Sequence, residues 1–232
     1  MLGPIGQKLI AHVSIGGFSI SFDLITIIMS WIVIALLVVF ALVLRRSLRQ
    51  DIEEKPNRVQ ALLDALIDLI KGQLTSSFSS DQLARELFPF IATLFLFILV
   101  SNWISIIPYF ESPTKDLNVT FSFGLLVFFM SQFFAIRRKG VGKYFKGFIE
   151  PYPFMLPLNI VGEMAKPLSH SFRLFGNMFG GAIMLSIMYM FPMTSWITPI
   201  GLNLFYGLFQ GMIQAFVFSI LAVAYINVAV ET

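Results

Sequence analysis

The sequence predicts an all-α membrane protein of about five membrane-spanning helices plus one interfacial amphipathic helix, with the last two crossings long and strongly tilted. Hydrophobic residues make up 57% of the 232 and charged residues only 12%, whereas a soluble domain carries roughly a quarter charged residues. Five apolar runs are each long enough for a hydrocarbon layer of ~30 Å, which a helix of about 20 residues crosses. Lys and Arg concentrate in alternate loops between those runs. Residues 1–232 therefore read as a single membrane domain.

The first crossing is expected over 24–44. Residues 1–17 lack the order of charged region, apolar core and small-residue cleavage site that marks a removable leader, and are expected to belong to the mature protein. Over 57–80, Val59, Leu62, Leu63, Leu66, Ile67 and Ile70 repeat with helical spacing while Asp64, Asp68 and Lys71 fall on the other side. Asn57 with Gln60 resembles a helix cap. This amphipathic helix lies on the membrane surface, against a partner, or tucked under its own bundle. Runs 87–108 and 119–136 form a crossing hairpin. Runs 154–190 and 196–230 are too long for one perpendicular crossing, because ~35 residues at 1.5 Å rise measure about 50 Å. Pro167 and the glycines Gly176, Gly180 and Gly181 permit bending in the first of them.

Orientation follows from the loop cations. Arg45, Arg46, Arg49, Lys55 and Arg58 follow the first crossing, and Arg137, Arg138, Lys139, Lys143 and Lys146 follow the third, while the loop 109–117 carries only Lys115. The rich loops are expected in the cytoplasm, with the N-terminus outside and the C-terminus inside.

The fourth run carries Asn159, Glu163, Lys166, His170, Arg173 and Asn177, spaced by four, three, four, three and four residues. At 100° per residue they share an arc of about 80°. Ionisable groups at membrane depth cost about 2.5–3.5 kcal/mol each on insertion scales, so they face protein or water. The last run carries Asn203, Gly207, Gln210 and Gln214 at similar steps. The Asn and Gln residues alone equally suit interhelical hydrogen bonding. Glu163 and Lys166 equally suit a local ion pair, and His170 suits a packing role. Arg173 differs: it has no acid three or four residues away and its guanidinium stays charged. It requires a carboxylate from another chain or a persistent water defect.

The absence of cysteine excludes disulfides, iron–sulfur clusters and thiolate zinc, and His12 and His170 are the only histidines. Neither a metal site nor another cofactor is expected, which argues against a haem-binding membrane anchor. No Gly-rich phosphate loop appears, so no nucleotide site is expected, and no nucleic-acid partner is expected either. A self-contained secondary transporter is the alternative reading, although residues 24–136 and 154–230 show no internal repeat of the kind such proteins usually carry.

Lys166-Pro167-Leu168-Ser169-His170-Ser171-Phe172-Arg173-Leu174-Phe175-Gly176-Asn177-Met178 resembles the signature of subunit a of F-type ATP synthases, K-P-[LV]-S-x-x-x-R-L-F-G-N. Residues 113–120, Pro-Thr-Lys-Asp-Leu-Asn-Val-Thr, resemble the loop before that family's third crossing, and Gln214-Ala215-Phe216-Val217-Phe218 resembles its last-helix motif. The resemblance covers nearly the whole chain. It implies the membrane stator subunit of a bacterial ATP synthase in the cytoplasmic membrane, not catalytic on its own, with the two long helices cupping a rotating ring of c subunits and with peripheral-stalk b subunits as neighbours. Arg173 is then the essential arginine. Asn159, Glu163, Lys166, His170, Asn177, Asn203, Gln210 and Gln214 are the polar residues of two half-channels that load and unload H+ or Na+ on the ring carboxylates.

Two positions depart from the pattern of many proton-using members. Where these carry Glu nine residues after the arginine and His seven before the last-helix glutamine, this chain has Ala182 and Gly207. The space must be filled by water or by other side chains. A water-lined vestibule would pass sodium as readily as protons, which favours sodium, while His170 and Glu163 remain as substitute relay groups.

Overall fold

The computed structural model describes residues 10–15, 18–47, 58–78, 80–107, 110–149, 152–191 and 198–231. The cap residue Asn57 and the loop cations Arg49 and Lys55 lie outside the described residues. Strands β1 (Ile10–Ile15) and β2 (Phe18–Asp23) form an antiparallel hairpin, with Ile10 opposite Asp23 and Ile15 opposite Phe18. The sequence reading assigned no element here, although Phe18-Ser19-Ile20-Ser21-Phe22-Asp23 alternates with the period of a strand. Apart from short connecting segments the rest of the described chain is helical, and five helices are long and apolar enough to cross a membrane.

Helix α1 (Leu24–Ser47) begins where Asp23 accepts a hydrogen bond from the Ile25 amide. It stands at the margin of the bundle: Trp31 is two-thirds exposed, and Val33 is the one buried residue among its described side chains. Helix α2 (Arg58–Ser77) turns Ile70 and Leu74 inward against the bundle and leaves Asp64 and Asp68 exposed. Helix α3 (Asp81–Trp103) starts six residues before the apolar run beginning at Leu87, because its first turns are polar. A short 3-10 turn, Ile104–Ile106, continues it.

Helix α4 (Leu117–Lys139) is capped by Asp116, whose side chain accepts from the Asn118 amide at 2.8 Å. It ends at Gly140, whose φ of 79° suits a residue without Cβ. A short amphipathic helix, α5 (Val141–Ile149), follows. Helix α6 (Leu156–Tyr189) runs 34 residues through Pro167, a length of about 51 Å. The last crossing is compound: α7 (Thr198–Asn203), a π-helical segment (Leu204–Gln210) and α8 (Gly211–Glu231).

The core joins Leu87, Ile91, Leu94 and Ile98 of α3 to Val127 of α4, Leu174 and Met178 of α6, and Ala215, Phe218, Ala222 and Ile226 of α8. In lipid, apolar burial adds little between helices, and close van der Waals packing decides association. The buried face of α8 accordingly presents Gly211, Ala215, Ser219 and Ala222, which let the α3 and α4 backbones come near.

Candidate functional site

The polar arc of α6 lies across the boundary between its buried and exposed faces. The buried residues Pro167, Ser171, Leu174 and Met178 centre about 60° to one side of His170, and Arg173 lies about 60° to the other. His170 is consequently 1% exposed, while Arg173 is exposed. An arc that reads as one face in sequence is divided by packing.

At the end that gathers Arg137, Lys139 and α5, a cavity of about 780 Å3 opens between α4, α5, the start of α6 and the end of α8. Its walls bring together Asn159, Glu163 and Lys166 of α6 with Gln132 of α4 and Tyr144 of α5. Lys166 and Glu163 form an ion pair, the other Glu163 oxygen accepts from Gln132 Nε2 at 3.2 Å, and Tyr144 donates its hydroxyl hydrogen to Gln132 Oε1. Burial, with the Glu163 carboxylate second, pushes the Tyr144 phenol above its ordinary pKa, so it stays a neutral donor. Asn159 Nδ2 donates to the Phe148 carbonyl at 2.9 Å, which ties α5 to α6. Lys139 Nζ donates to the Ala229 carbonyl at 2.7 Å, near the end of α8.

From this cavity toward the middle of α6, two buried polar atoms have no partner among the described residues: Asn227 Oδ1 and His170 Nδ1. His170 Nε2 meets the Phe218 carbonyl at 3.0 Å, and its ring packs on Phe218 with centroids 3.6 Å apart. A buried polar atom costs ~1–3 kcal/mol when unpaired, so both atoms mark places suited to water.

The pairings His170–Phe218 and Gly181–Tyr206 set α6 and the last crossing antiparallel. That register puts Arg173 level with Gln214, which is 7% exposed. Arg173 has no hydrogen bond or ion pair with any described residue. Asn177, one turn on, is half-buried.

The other end of the two helices is packed differently. A Cβ on Gly207 would meet Ile106 Cγ1 at 2.7 Å, and one on Gly181 would meet the Tyr206 ring at 2.9 Å. The space beside Gly207 is thus taken by the Ile106 side chain, one of the two fillings the sequence allows there. Ala182 sits beside the same Gly181–Tyr206 contact. Below Gly207 the π-helical segment is held by α3: Trp103 Nε1 donates to the Leu208 carbonyl at 3.1 Å and Asn102 Nδ2 to the Gly211 carbonyl at 3.0 Å. Asn102 Oδ1 in turn accepts from Thr114 Oγ1 at 2.7 Å.

A wide π turn inserts one residue relative to an α-helix and shifts the following phase by about 100°. Asn203 therefore leaves the face of Gln214, although the spacing in sequence aligns them. Gln210, the last π residue, is half-buried. The structure joins Asn159, Glu163 and Lys166 at one cavity and Arg173 with Gln214 at one level, places His170 between them, and separates Asn203. Sequence reasoning missed Gln132, Tyr144, Asn227 and Asn102. Gln132, Asn227 and Asn102 are polar residues within or at the end of apolar runs, a signal present in the sequence; Tyr144 depends on how α5 folds back.

A family model described as "ATP synthase A chain" matches residues 27–227. A protein of Syntrophotalea carbinolica named "ATP synthase subunit a 1" is 41% identical over 87% of this chain and 84% of its own length. One of Crocosphaera subtropica with the same name is 36% identical over 87% and 84%. "ATP synthase subunit a, sodium ion specific" of Propionigenium modestum is 35% identical over 88% and 73%. With nearly the whole described bundle matched, including the helices that carry Arg173 and Gln214, the chain belongs to the ATP synthase A chain family.

Proposed function

We propose that this chain is the ion-translocating stator subunit of an F-type ATP synthase, in a bacterial cytoplasmic membrane with the basic end in the cytoplasm. The observation that carries the reading is Arg173: a permanent cation exposed at mid-helix, with no carboxylate partner among the described residues. The proposed partner is the membrane carboxylate of each c subunit as the ring turns past α6 and α8. The b subunits of the peripheral stalk would hold the chain against that rotation.

A ring carboxylate crossing lipid must be neutral or ion-loaded, whereas beside a cation it prefers to be charged. At ~4 Å with an effective dielectric of about 20 the attraction is of order 4 kcal/mol, about a thousandfold in the ionisation equilibrium. Arg173 thereby strips the arriving site of its ion and repels cations that would leak straight past. The inner half-channel runs from the cavity at Glu163 through the levels of Asn227 and His170 to the ring. The outer half-channel reaches the ring on the other side of Arg173, beside Asn177 and Gln210. Ion flow then proceeds only with ring rotation, and nucleotide chemistry belongs to other subunits.

Replacing Arg173 by Ala is expected to abolish ATP-driven ion pumping and ion-driven synthesis in the purified complex while assembly stays intact. Coupled synthesis near the normal rate in Arg173→Ala refutes the reading. ATP hydrolysis by the coupled complex, followed against sodium concentration at fixed pH above neutrality, decides the ion: activation by sodium identifies Na+, and indifference identifies H+.

A further inference from the structure

The cavity at the basic end has a composition that an ion path alone does not explain. Besides Glu163 and Lys166, which pair with each other, its lining includes Lys139, Lys143 and Lys146. Lys139 spends its ammonium on a backbone carbonyl, so its charge is not cancelled there, and Lys143 is exposed. A cation route walled by ammonium groups raises the local barrier to the cation it serves.

The same cavity adjoins surface that suits lipid. On α5, Val141 and Phe145 are 59% and 60% exposed one helical turn apart, and they share the helix with Lys143 and Lys146. That pattern belongs to a helix lying in the headgroup layer. Leu158, itself a lining residue, is 66% exposed, and Tyr152 and Phe154 beside it are likewise exposed. The cavity therefore presents ammonium groups within a rim of side chains that belong among acyl chains and headgroups.

We propose that this cavity holds the phosphodiester headgroup of an anionic phospholipid, with Lys143 and Lys139 as its cationic partners and the acyl chains lying over Leu158 and α5. Basic pockets between crossing helices on the cytoplasmic side take anionic headgroups for this reason. Bound there, the phosphate offsets the lysine charge along the inner route. The inference rests on the proposed orientation and uses the same cavity as the proposed inner half-channel, but not the role of Arg173.

The test is lipid retention by the whole purified complex, exchanged into detergent with phosphatidylglycerol or phosphatidylcholine and read by native mass spectrometry. Phosphatidylglycerol is expected to stay on and phosphatidylcholine to wash off. Lys143→Arg should retain it, whereas Lys143→Glu should weaken retention about thirtyfold, at about fivefold per unit charge near the surface. Equal retention by Lys143→Glu and the parent overturns the site. Displacement of the lipid by millimolar inorganic phosphate overturns it in favour of a small-anion site. Repeating the measurement in Arg173→Ala separates the two readings, because lipid should remain bound there whether or not ion coupling survives.

Discussion

The two ends of the α6 and α8 pair were built on opposite principles. At the basic end, polar side chains from α4, α5 and α6 line an open cavity of about 780 Å3. At the other end, Ile106 closes over Gly207 and the Tyr206 ring over Gly181, and the polar groups of Asn102 and Thr114 are consumed by one another and by backbone carbonyls. The difference teaches that the two ends are filled differently: the basic end leaves open space among polar groups, whereas beside Gly207 the Ile106 side chain takes the space.

Four experiments would break or sharpen that contrast. The largest effect is expected at the junction itself, where Arg173→Lys should lose most coupled synthesis, because a compact ammonium does not present the planar fork that pairs with a moving carboxylate. Synthesis at the parental rate in reconstituted vesicles would show that charge alone suffices.

Next comes the accessibility of single cysteines in this cysteine-free chain. A cysteine at Gln132 should react with a water-soluble maleimide at least about tenfold faster than one at Ser101, which is fully buried, since the thiolate reacts only where water reaches it. Equal labelling would erase the wet and dry distinction.

Third, Gly207→Leu drives a side chain into Ile106 and should destabilise the assembled complex by about 1–3 kcal/mol, seen as a lower Tm. The double variant Gly207→Leu with Ile106→Ala should recover part of that loss. Asn102→Leu belongs to a similar scale, because it removes two buried hydrogen bonds, from Thr114 Oγ1 and to the Gly211 carbonyl, worth about 0.5–1.5 kcal/mol each.

The smallest effect is expected from Tyr144→Phe, which removes one hydrogen bond to Gln132 worth about 0.5–1.5 kcal/mol. The sign with pH follows from the direction of the Tyr144 shift, which is upward. A phenol held neutral by burial keeps its donor role as pH rises past the ordinary value and loses it only beyond the raised one. The difference between parent and Tyr144→Phe in thermal stability should therefore persist to higher pH than an unperturbed tyrosine allows.

Much of the fold was legible in residue order, because a hydrocarbon layer demands long apolar helices and tolerates charge only at their ends or toward protein. The exceptional status of Arg173 was legible for the same reason. The hairpin at β1 and β2 was missed despite the alternation from Phe18 to Asp23, because a six-residue alternating run carries little periodic signal beside long apolar helices. The polar arc of α6 was legible as a stripe, but not its division into a buried His170 and an exposed Arg173.

By itself the sequence determined that the chain spans a membrane, which helices carry polar residues, and that the Arg173 cation has no acid three or four residues away on its own helix. Periodicity and hydropathy are local properties, and each residue's cost in lipid is paid wherever its helix goes. Only the tertiary structure decided which side of each stripe is covered, that Ile106 occupies the space at Gly207, and that the π-helical segment turns Asn203 away from Gln214. Those outcomes depend on how neighbouring helices interlock and on which backbone carbonyls α3 can reach, and no single helix contains that information.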